Sequence, residues 1–498
     1  MHECLMVDFG STYTKVTAFD LEGKKLLGRA QAPTTIEDDV NRGMYNALRN
    51  LEQACGVKGE QIRERYACSS AAGGLRMAAI GLVPALTLEA AKRAALGAGA
   101  KVVASYGYEI DEEIVSEIEG LRCDIIMLCG GTDGGNKAVI LSNAEMLAGS
   151  QVDCPILVCG NRTVSAKVCR ILEDGGKRVY SAPNVLPEVN RVEVGPAQEM
   201  IREIFIEHIV KAKGLDKAAE FFCRPIIPTP MASLQAARLL ADGTPNVKGI
   251  GSLLVVEVGG ATTNIHSVAA IRPVTSQTIM RGLPDDKMKR TVEGDLGIRY
   301  NARTIYEFAG YDKLKALALG MKPGLDESLI DPDKYTHTLN ETVEYTPQNE
   351  EEYMLDAALA QAAAGIAVER HAGTLHREQT VTGEINVQTG KNLLEVRNVL
   401  GTGGIFKYGK MPQRVLQAAL FDPQSPWSLK PMQPKGWLDA DYVMYAVGLL
   451  SQDYPDEALS IAKAHLQPLE LELPDVSGFD FEIGSSGGGA LSGACGHF

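Results

Sequence analysis

A strand, a glycine-containing turn and a second strand occur in the same order twice in this chain. The first copy is LMVDFGSTYTKVTAFD at 5–20, and the second is LLVVEVGGATTNIHSV at 253–268, in the other half of the chain. In each copy the apolar runs predict strands, and a third strand is expected to follow, at 24–32 and at 272–280. A repeated unit of this kind predicts a duplicated α/β architecture, because each copy must build its own sheet.

The stretch between the two copies has a different pattern. After the first three strands, a helix is predicted to start near 36–39 and to run through 41–56, and a fourth strand is predicted at 64–70. From 71 to 200, short apolar runs alternate with helical stretches, which is typical of a parallel sheet with crossover helices. We therefore expect an α/β insertion there, followed by helical segments before the second copy begins.

Charge and apolar patterning argue against several classes of protein. The 498 residues carry a formal net charge of −14, which argues against a general nucleic-acid-binding protein. The most apolar tract, 77–104, is interrupted by Pro84 and Glu89, so no membrane span is predicted. The first ten residues lack the basic region of a signal peptide, and we expect a cytoplasmic protein.

The ten cysteines are scattered along the chain and form no Cys-x-x-Cys pair. We expect reduced thiols, most of them buried, rather than disulfides or metal ligands. Cys495 lies in the Gly-rich tail, and the sequence assigns it no role.

The turn of the first copy has the composition of a phosphate-binding loop. Glycine lets backbone N–H groups converge on one point, and neighbouring hydroxyls add hydrogen-bond donors. Lys15 would neutralise phosphate charge, and Asp8 would hold Mg²⁺ directly or through water. The predicted nucleotide-binding residues of this turn are Gly10, Ser11, Thr12 and Thr14.

Two further glycine loops complete the predicted site for ATP and Mg²⁺. The turn of the second copy offers a second acid, Glu257, as a catalytic and metal-binding residue, with the binding residues Gly259, Gly260, Thr262 and Thr263. A third loop, which has neither an acid nor a lysine and suits a neutral adenosine, contains Gly401, Thr402, Gly403 and Gly404. Any one of these loops alone is also consistent with an ordinary hairpin turn, but three in this order, each after an apolar strand, favour nucleotide binding.

These motifs carry a resemblance to a known superfamily. DFGSTYTK, EVGGATT and LGTGG are similar to the phosphate-1, phosphate-2 and adenosine motifs of the actin/Hsp70/sugar-kinase (ASKHA) ATPases. More narrowly, SSAAGGLRMAAIGLVP, GGTDGGN, TVEGDLGIRYNA and AVERHAGT resemble the GlmL/MutL family, which is encoded beside glutamate mutase.

The resemblance implies an actin-like ATPase fold. It comprises two RNase H-like domains with mixed sheets around a nucleotide cleft, plus an α/β insertion. The implied division is 1–70 for the first RNase H-like half, 71–200 for the insertion, 201–249 for a helical connector, 250–470 for the second RNase H-like domain and 471–498 for a C-terminal Gly-rich tail.

The resemblance also implies a function. The family acts as an ATP-dependent, chaperone-like reactivating factor for an adenosylcobalamin-dependent mutase, with glutamate (methylaspartate) mutase the favoured partner, and hydrolysis of ATP to ADP drives release of damaged cobalamin. This chain has Glu257 and Asn264 where the family commonly has aspartates, so nucleotide binding is expected more firmly than hydrolysis. A small-molecule kinase, an iron–sulfur activator of dehydratases and a non-hydrolysing scaffold stay open as alternatives.

Residues outside the three loops have structural as well as functional interpretations. The loop containing Gly130, Gly131 and Asp133 is favoured as a structural turn, with phosphate or mutase binding as its alternatives. One of Glu293 and Asp295 would orient water, unless both are surface acids. His266 is expected to be a hydrogen-bonded core residue. The chain shows no Asp-x-His-x-x-Gly pattern, so we do not expect it to bind cobalamin itself.

Overall fold

The structure is a computed structural model that describes residues 2–10, 13–35, 40–69, 75–189, 191–205, 207, 220–381, 383–477 and 479. Its strands, in chain order, are β1 Glu3–Phe9, β2 Tyr13–Asp20, β3 Lys25–Pro33, β4 Glu64–Ser69, β5 Arg76–Gly81, β6 Lys101–Gly107, β7 Ile125–Leu128, β8 Ile156–Val158, β9 Val179–Ser181, β10 Ile227–Pro228, β11 Leu253–Val258, β12 Thr263–Val268, β13 Ile279–Arg281, β14 Met288–Glu293, β15 Thr374–Thr380, β16 Gly383–Thr389, β17 Asn398–Thr402, β18 Lys435–Asp439 and β19 Leu466–Leu469.

The helices connect and cover these strands. They are α1 Val40–Cys55, α2 Glu89–Gly97, α3 Glu112–Leu121, α4 Ala138–Ala148, α5 Ser165–Asp174, α6 Gly195–Ile204, α7 Thr229–Asp242, α8 Ala302–Ala309, α9 Tyr311–Met321, α10 Pro332–Glu341, α11 Glu350–His371, α12 Gly404–Tyr408, α13 Pro412–Gln417, α14 Met444–Leu450 and α15 Pro455–His465. Within the described residues, no helix is both long enough and apolar enough to span a membrane.

Two sheets of the molecule share one topology. The first has the order β10-β4-β1-β2-β3, with β2 antiparallel to both neighbours and β4 and β10 parallel to β1. The second has the order β14-β12-β11-β17-β18-β19, and its first five strands repeat these directions. This order is that of the RNase H-like half of an actin-like ATPase, so the predicted duplication and fold class are confirmed.

One strand of the second copy was predicted in the wrong place. The third strand of its sheet is β14 at Met288–Glu293, not the segment 272–280. That segment contains Pro273 and a turn, and only its end continues into β13, whose exposed residues pair with β16 in a separate sheet. β14 instead contributes the buried Arg290 to the sheet edge, where it pairs with β12.

The insertion forms a third sheet of parallel strands, in the order β6-β5-β7-β8-β9. The parallel sheet predicted for this part of the chain is therefore confirmed. The chain then returns to the first sheet through β10, and α7 follows directly. The domain boundaries stay a prediction. The connector residues 206 and 208–219 and most of the tail, including Cys495, lie outside the described residues.

Two helices bring the duplicated sheets together. α7 packs against α14, and a Cβ at Gly448 of α14 would collide with the carbonyl oxygen of Ala232 in α7, so only glycine permits this approach. One core contains Met6 of β1, Val255 of β11 and residues of both helices. Because this core joins the sheets, the glycine turns at their strand ends face one cleft.

Candidate functional site

A cavity of about 410 Å³ lies between the two duplicated sheets. Residues from all three predicted loops line it: Asp8, Gly10, Lys15, Glu257, Gly259, Gly260, Thr262, Gly403 and Gly404. The structure therefore brings together segments that are separated by hundreds of positions in the sequence.

The two turns have equivalent backbone geometry. The N–H of Gly10 donates to the carbonyl of Tyr13 at 3.2 Å, and the N–H of Gly259 donates to the carbonyl of Thr262 at 2.9 Å. In the strand registers, Asp8 pairs with Lys15, and Glu257 pairs with Asn264. Each copy thus presents one acid at the end of its first strand, opposite a polar residue on its second.

Both carboxylate oxygens of Asp8 are held by side chains. The carboxylate is buried, with Oδ1 accepting from the Thr229 hydroxyl at 2.7 Å and from the Cys68 thiol at 3.5 Å. Oδ2 lies 3.2 Å from Nζ of Lys15. These contacts fix the direction in which Asp8 faces the cavity.

Lys15 is held between Asp8 and an aromatic ring. Its Nζ lies 3.4 Å from the Tyr442 hydroxyl and 4.4 Å from the centre of the Tyr442 ring, a cation–π distance. Burial alone would lower the pKa of Lys15, but Tyr442 and Asp8 beside it raise that pKa above its ordinary value. The ammonium is therefore charged at neutral pH.

Glu257 is held by polar neighbours of its own copy. Its Oε2 lies 3.4 Å from Nδ2 of Asn264 and 3.4 Å from Nε2 of His266. Burial would raise the pKa of Glu257, but His266 and the charge of Arg290 lower it below the ordinary value. Burial lowers the pKa of His266, which is fully buried, so its prediction as a hydrogen-bonded core residue is confirmed.

Arg290 links the cleft to a second cavity. Its Nη2 donates to Oδ1 of Asn264 at 3.3 Å, its Nη1 donates to the carbonyl of Leu96 at 2.8 Å, and its buried Nε has no partner among the described residues. Burial lowers the pKa of Arg290 to about 9. Arg290 also lines a neighbouring cavity of about 730 Å³ between α2, α7 and β14. The sequence did not predict Arg290 as a site residue, because the third strand was expected at 272–280 and not at Met288–Glu293.

Several predicted binding residues do not line the cleft. The hydroxyl of Thr14 contacts that of Thr34 at 3.0 Å, and the Thr263 hydroxyl donates to the carbonyl of Leu296 at 2.7 Å. Thr402 donates to the buried carboxylate of Asp439 at 2.7 Å, and Gly401 packs beneath Phe406. These residues stabilise the loops through contacts with the protein interior and do not face the cavity. Ser11 and Thr12 lie outside the described residues.

Other lining residues were not predicted. Thr229 and Tyr442 come from distant segments, and Arg299 is held beside Gly260 by a bidentate pair with Asp356 at 2.7 and 2.8 Å. The segment 343–346 also lines the cavity. Only the tertiary arrangement indicates these contributions.

The loop after β7 has the contacts of a structural turn. Oδ1 of Asp133 accepts from the Arg162 N–H at 2.9 Å and from Nδ2 of Asn184 at 3.0 Å. Gly131 has a positive φ of 70°. These contacts tie the loop to its neighbours in the insertion, and they favour the structural interpretation.

Glu293, the last residue of β14, and Asp295, which follows it, are both paired with one arginine. Arg370 Nη1 lies 2.6 Å from Oε2 of Glu293 and 3.0 Å from Oδ2 of Asp295. Neither acid is among the described residues that line the cleft. The pairing favours the alternative that they do not orient water.

Comparison with known proteins gives one extensive family match. The family model described as MutL protein matches residues 4–466, a range that includes all three glycine loops. Protein MutL of Clostridium tetanomorphum is 44% identical over 466 residues, which cover 94% of this chain and 99% of the relative.

Solved structures with similarity to this chain are more distant. The activator of the 2-hydroxyisocaproyl-CoA dehydratase from Clostridium difficile, with bound ADPNP, is 9% identical, covers 93% of this chain and 96% of its own, and has a TM-score of 0.31. Xylulose kinase from Bifidobacterium adolescentis is 11% identical, covers 95% of each chain, and has a TM-score of 0.30.

Proposed function

Because this chain belongs to the MutL family, we propose that it is an ATP-dependent accessory factor that reactivates an adenosylcobalamin-dependent mutase, with glutamate mutase the favoured partner. The observation that carries the proposal is that Asp8 and Glu257, from equivalent turns of two equivalent sheets, line the same cavity. A cytoplasmic location stays part of the proposal.

The cleft has the donors that a nucleotide requires. The N–H groups of Gly10 and Gly259 close the two turns, Gly260 supplies bare backbone next to the cavity, and Lys15 supplies a fixed positive charge. On the opposite side, Gly403 and Gly404 leave room for a flat ring, and Tyr408 lines the same wall. We therefore assign the triphosphate to the two turns and the adenosine to the third loop.

The cleft also fits Mg²⁺, because its two acids are hard oxygen ligands that face the same space. Asp8 and Glu257 would hold the ion, directly or through water. Mg²⁺ supplies positive charge to the phosphoryl oxygens when it is bound with the nucleotide.

The residues of the chain have separate tasks in the proposed hydrolysis. Lys15 and the backbone N–H groups of the turns bind the phosphates and stabilise negative charge that develops there. Thr229 positions the carboxylate of Asp8, and His266 positions that of Glu257. The ionised Glu257 accepts a hydrogen bond from the attacking water and orients it.

Closure of the cleft would couple the binding and hydrolysis of ATP to a conformational change in the mutase. Arg29 of the first sheet donates to the Asp441 carbonyl and to the Tyr408 hydroxyl, so it already bridges the two sides of the cleft. Phosphate contacts from both turns would draw the sheets together, and hydrolysis would release them. Movement of one sheet against the other would then open the cobalamin site of the mutase.

The test is ATP turnover with and without glutamate mutase that has been inactivated with bound cyanocobalamin. We expect the mutase to stimulate hydrolysis and cyanocobalamin to be released only with ATP and Mg²⁺. Asp8→Ala is the negative control, because loss of the carboxylate assigned to Mg²⁺ should abolish Mg²⁺-dependent turnover. ATP binding without stimulation or release would contradict the reactivase function and support a scaffold.

A small-molecule kinase is a second candidate, and one observation favours it. The cavity of about 730 Å³ meets the cleft at Arg290, so it offers space for an anionic acceptor beside the phosphates. Phosphorylated product formed from a carboxylate or a sugar, with no stimulation by the mutase, would support this candidate instead.

A further inference from the structure

A second group of polar side chains lies at the end of the first sheet that is remote from Asp8. Nε2 of His2 lies 2.8 Å from Oε1 of Glu64, and the Cys4 thiol lies 3.2 Å from Oε2 of the same carboxylate. One ligand atom from each residue lies within 4.8 Å of the other two. The three residues therefore converge on one point.

The sheet itself creates this convergence. β1 and β4 are parallel, and their register pairs Cys4 directly with Glu64, so both side chains project from the same face. Cys4 is fully buried, whereas His2 and Glu64 are partly exposed, with 39% and 29% of their side chains accessible. The group thus has a buried thiol at its base and an opening to solvent.

Imidazole nitrogen, thiolate sulfur and carboxylate oxygen are the ligands that zinc takes in proteins. Zinc–ligand bonds of about 2.0–2.3 Å place neighbouring ligand atoms roughly 3–4 Å apart, close to the separations of this group. We propose that His2, Cys4 and Glu64 form a binding site for a divalent transition-metal ion, with Zn²⁺ the best match and a fourth position open to water.

A further residue is positioned to support these ligands. The Tyr454 hydroxyl donates to Oε1 of Glu64 at 2.8 Å, and the Tyr454 ring packs edge-on against His2 with centroids 5.2 Å apart. Such outer hydrogen bonds orient metal ligands. The site would join β1 to β4 and, through Tyr454, to the start of α15.

Binding of the metal ion displaces the proton of the Cys4 thiol. The Cys4 thiol is protonated at neutral pH in the absence of metal, and formation of the metal–sulfur bond releases that proton to the buffer. The carboxylate of Glu64 needs no such exchange. Affinity is therefore expected to increase with pH.

The experiment is a Co²⁺ titration of the metal-free full chain, prepared without a histidine tag. We expect one Co²⁺ per chain, visible bands of tetrahedral geometry and a near-ultraviolet thiolate-to-Co²⁺ charge-transfer band, all displaced by Zn²⁺. Cys4→Ser should abolish the charge-transfer band, and Cys55→Ser, at an exposed cysteine, should leave it intact. Tyr454→Phe should weaken binding by about tenfold.

His2→Ala serves as an independent variant, because the partly exposed His2 is not needed for the core. It should weaken Co²⁺ binding by at least about tenfold and remove any increase in melting temperature caused by Zn²⁺. Absence of the charge-transfer band in the unmodified chain, its persistence in Cys4→Ser, or unchanged affinity in His2→Ala would each overturn the assignment.

Discussion

The hydroxyl of Thr229 donates to Oδ1 of Asp8 at 2.7 Å, although the two residues are 221 positions apart. Thr229 begins α7, the helix that follows the last strand of the first sheet, and Asp8 is the penultimate residue of the central strand of that sheet. The hydrogen bond therefore joins the predicted metal-binding carboxylate to a helix that packs against both halves of the molecule.

Thr229→Val should impair hydrolysis by releasing one oxygen of Asp8. A hydrogen bond to a charged group contributes about 1.5–3 kcal/mol, so we expect Mg²⁺-dependent turnover to fall about tenfold or more. Thr338→Val, which removes an exposed hydroxyl bond within α10, is the matched control. Unchanged turnover in Thr229→Val would show that Thr229 does not position the carboxylate.

Substitution of the adjacent residues Thr262 and Thr263 by valine should affect two different properties, nucleotide affinity for Thr262 and stability for Thr263. Thr262 lines the cleft, so Thr262→Val should weaken nucleotide binding by about 1–3 kcal/mol and leave unfolding unchanged. Thr263 donates to the Leu296 carbonyl in the core, so Thr263→Val should lower the free energy of unfolding by a similar amount. Nucleotide titration and urea unfolding of both variants measure these effects, and equal effects on binding would contradict the assignment.

The third loop contains another matched pair. Gly403 has a φ of 105°, and a Cβ there would lie 2.6 Å from the Val258 carbonyl oxygen, so Gly403→Ala should destabilise the protein by about 1–3 kcal/mol. Gly404 has open space around it and lines the cleft. Gly404→Ala should therefore keep its melting temperature and lose affinity for adenine nucleotides. A loss of stability in Gly404→Ala would contradict this geometry.

The stability of the protein should decrease in mild acid. Burial holds the pKa of His371 well below the ordinary value of 6.5, and it also lowers the pKa of His266. Unfolding then takes up protons below about pH 6.5, so each histidine should reduce the free energy of unfolding by up to about 1.4 kcal/mol per pH unit. Above that pH their contribution is constant.

Urea unfolding at several pH values between about 7.5 and 5 measures this slope. His371→Gln should make the slope shallower by as much as one proton, even if it also lowers stability at every pH. Thr338→Val, which removes an exposed hydroxyl bond and no titratable group, is the control and should leave the slope unchanged. A wild-type slope near zero would contradict the prediction that both buried histidines are neutral.

Sequence reasoning succeeded where local pattern decides structure. The strands β1, β2, β11 and β12 and the acids at their ends follow from apolar runs interrupted by glycine turns. The prediction failed for β14. Two short polar segments, 272–280 and 288–293, could have paired with β12, and the choice between them depends on tertiary packing at the edge of the sheet.

The sequence by itself determined the duplicated units, the three glycine loops and the two acids, because turn chemistry and strand periodicity act over a few neighbouring residues. Tertiary structure alone decided that Thr229 holds Asp8, that Tyr442 covers Lys15, and that Cys4 meets Glu64. Each of these contacts depends on how helices and parallel strands from distant segments pack. Such packing is set by the summed burial of a whole core, not by any short stretch of chain.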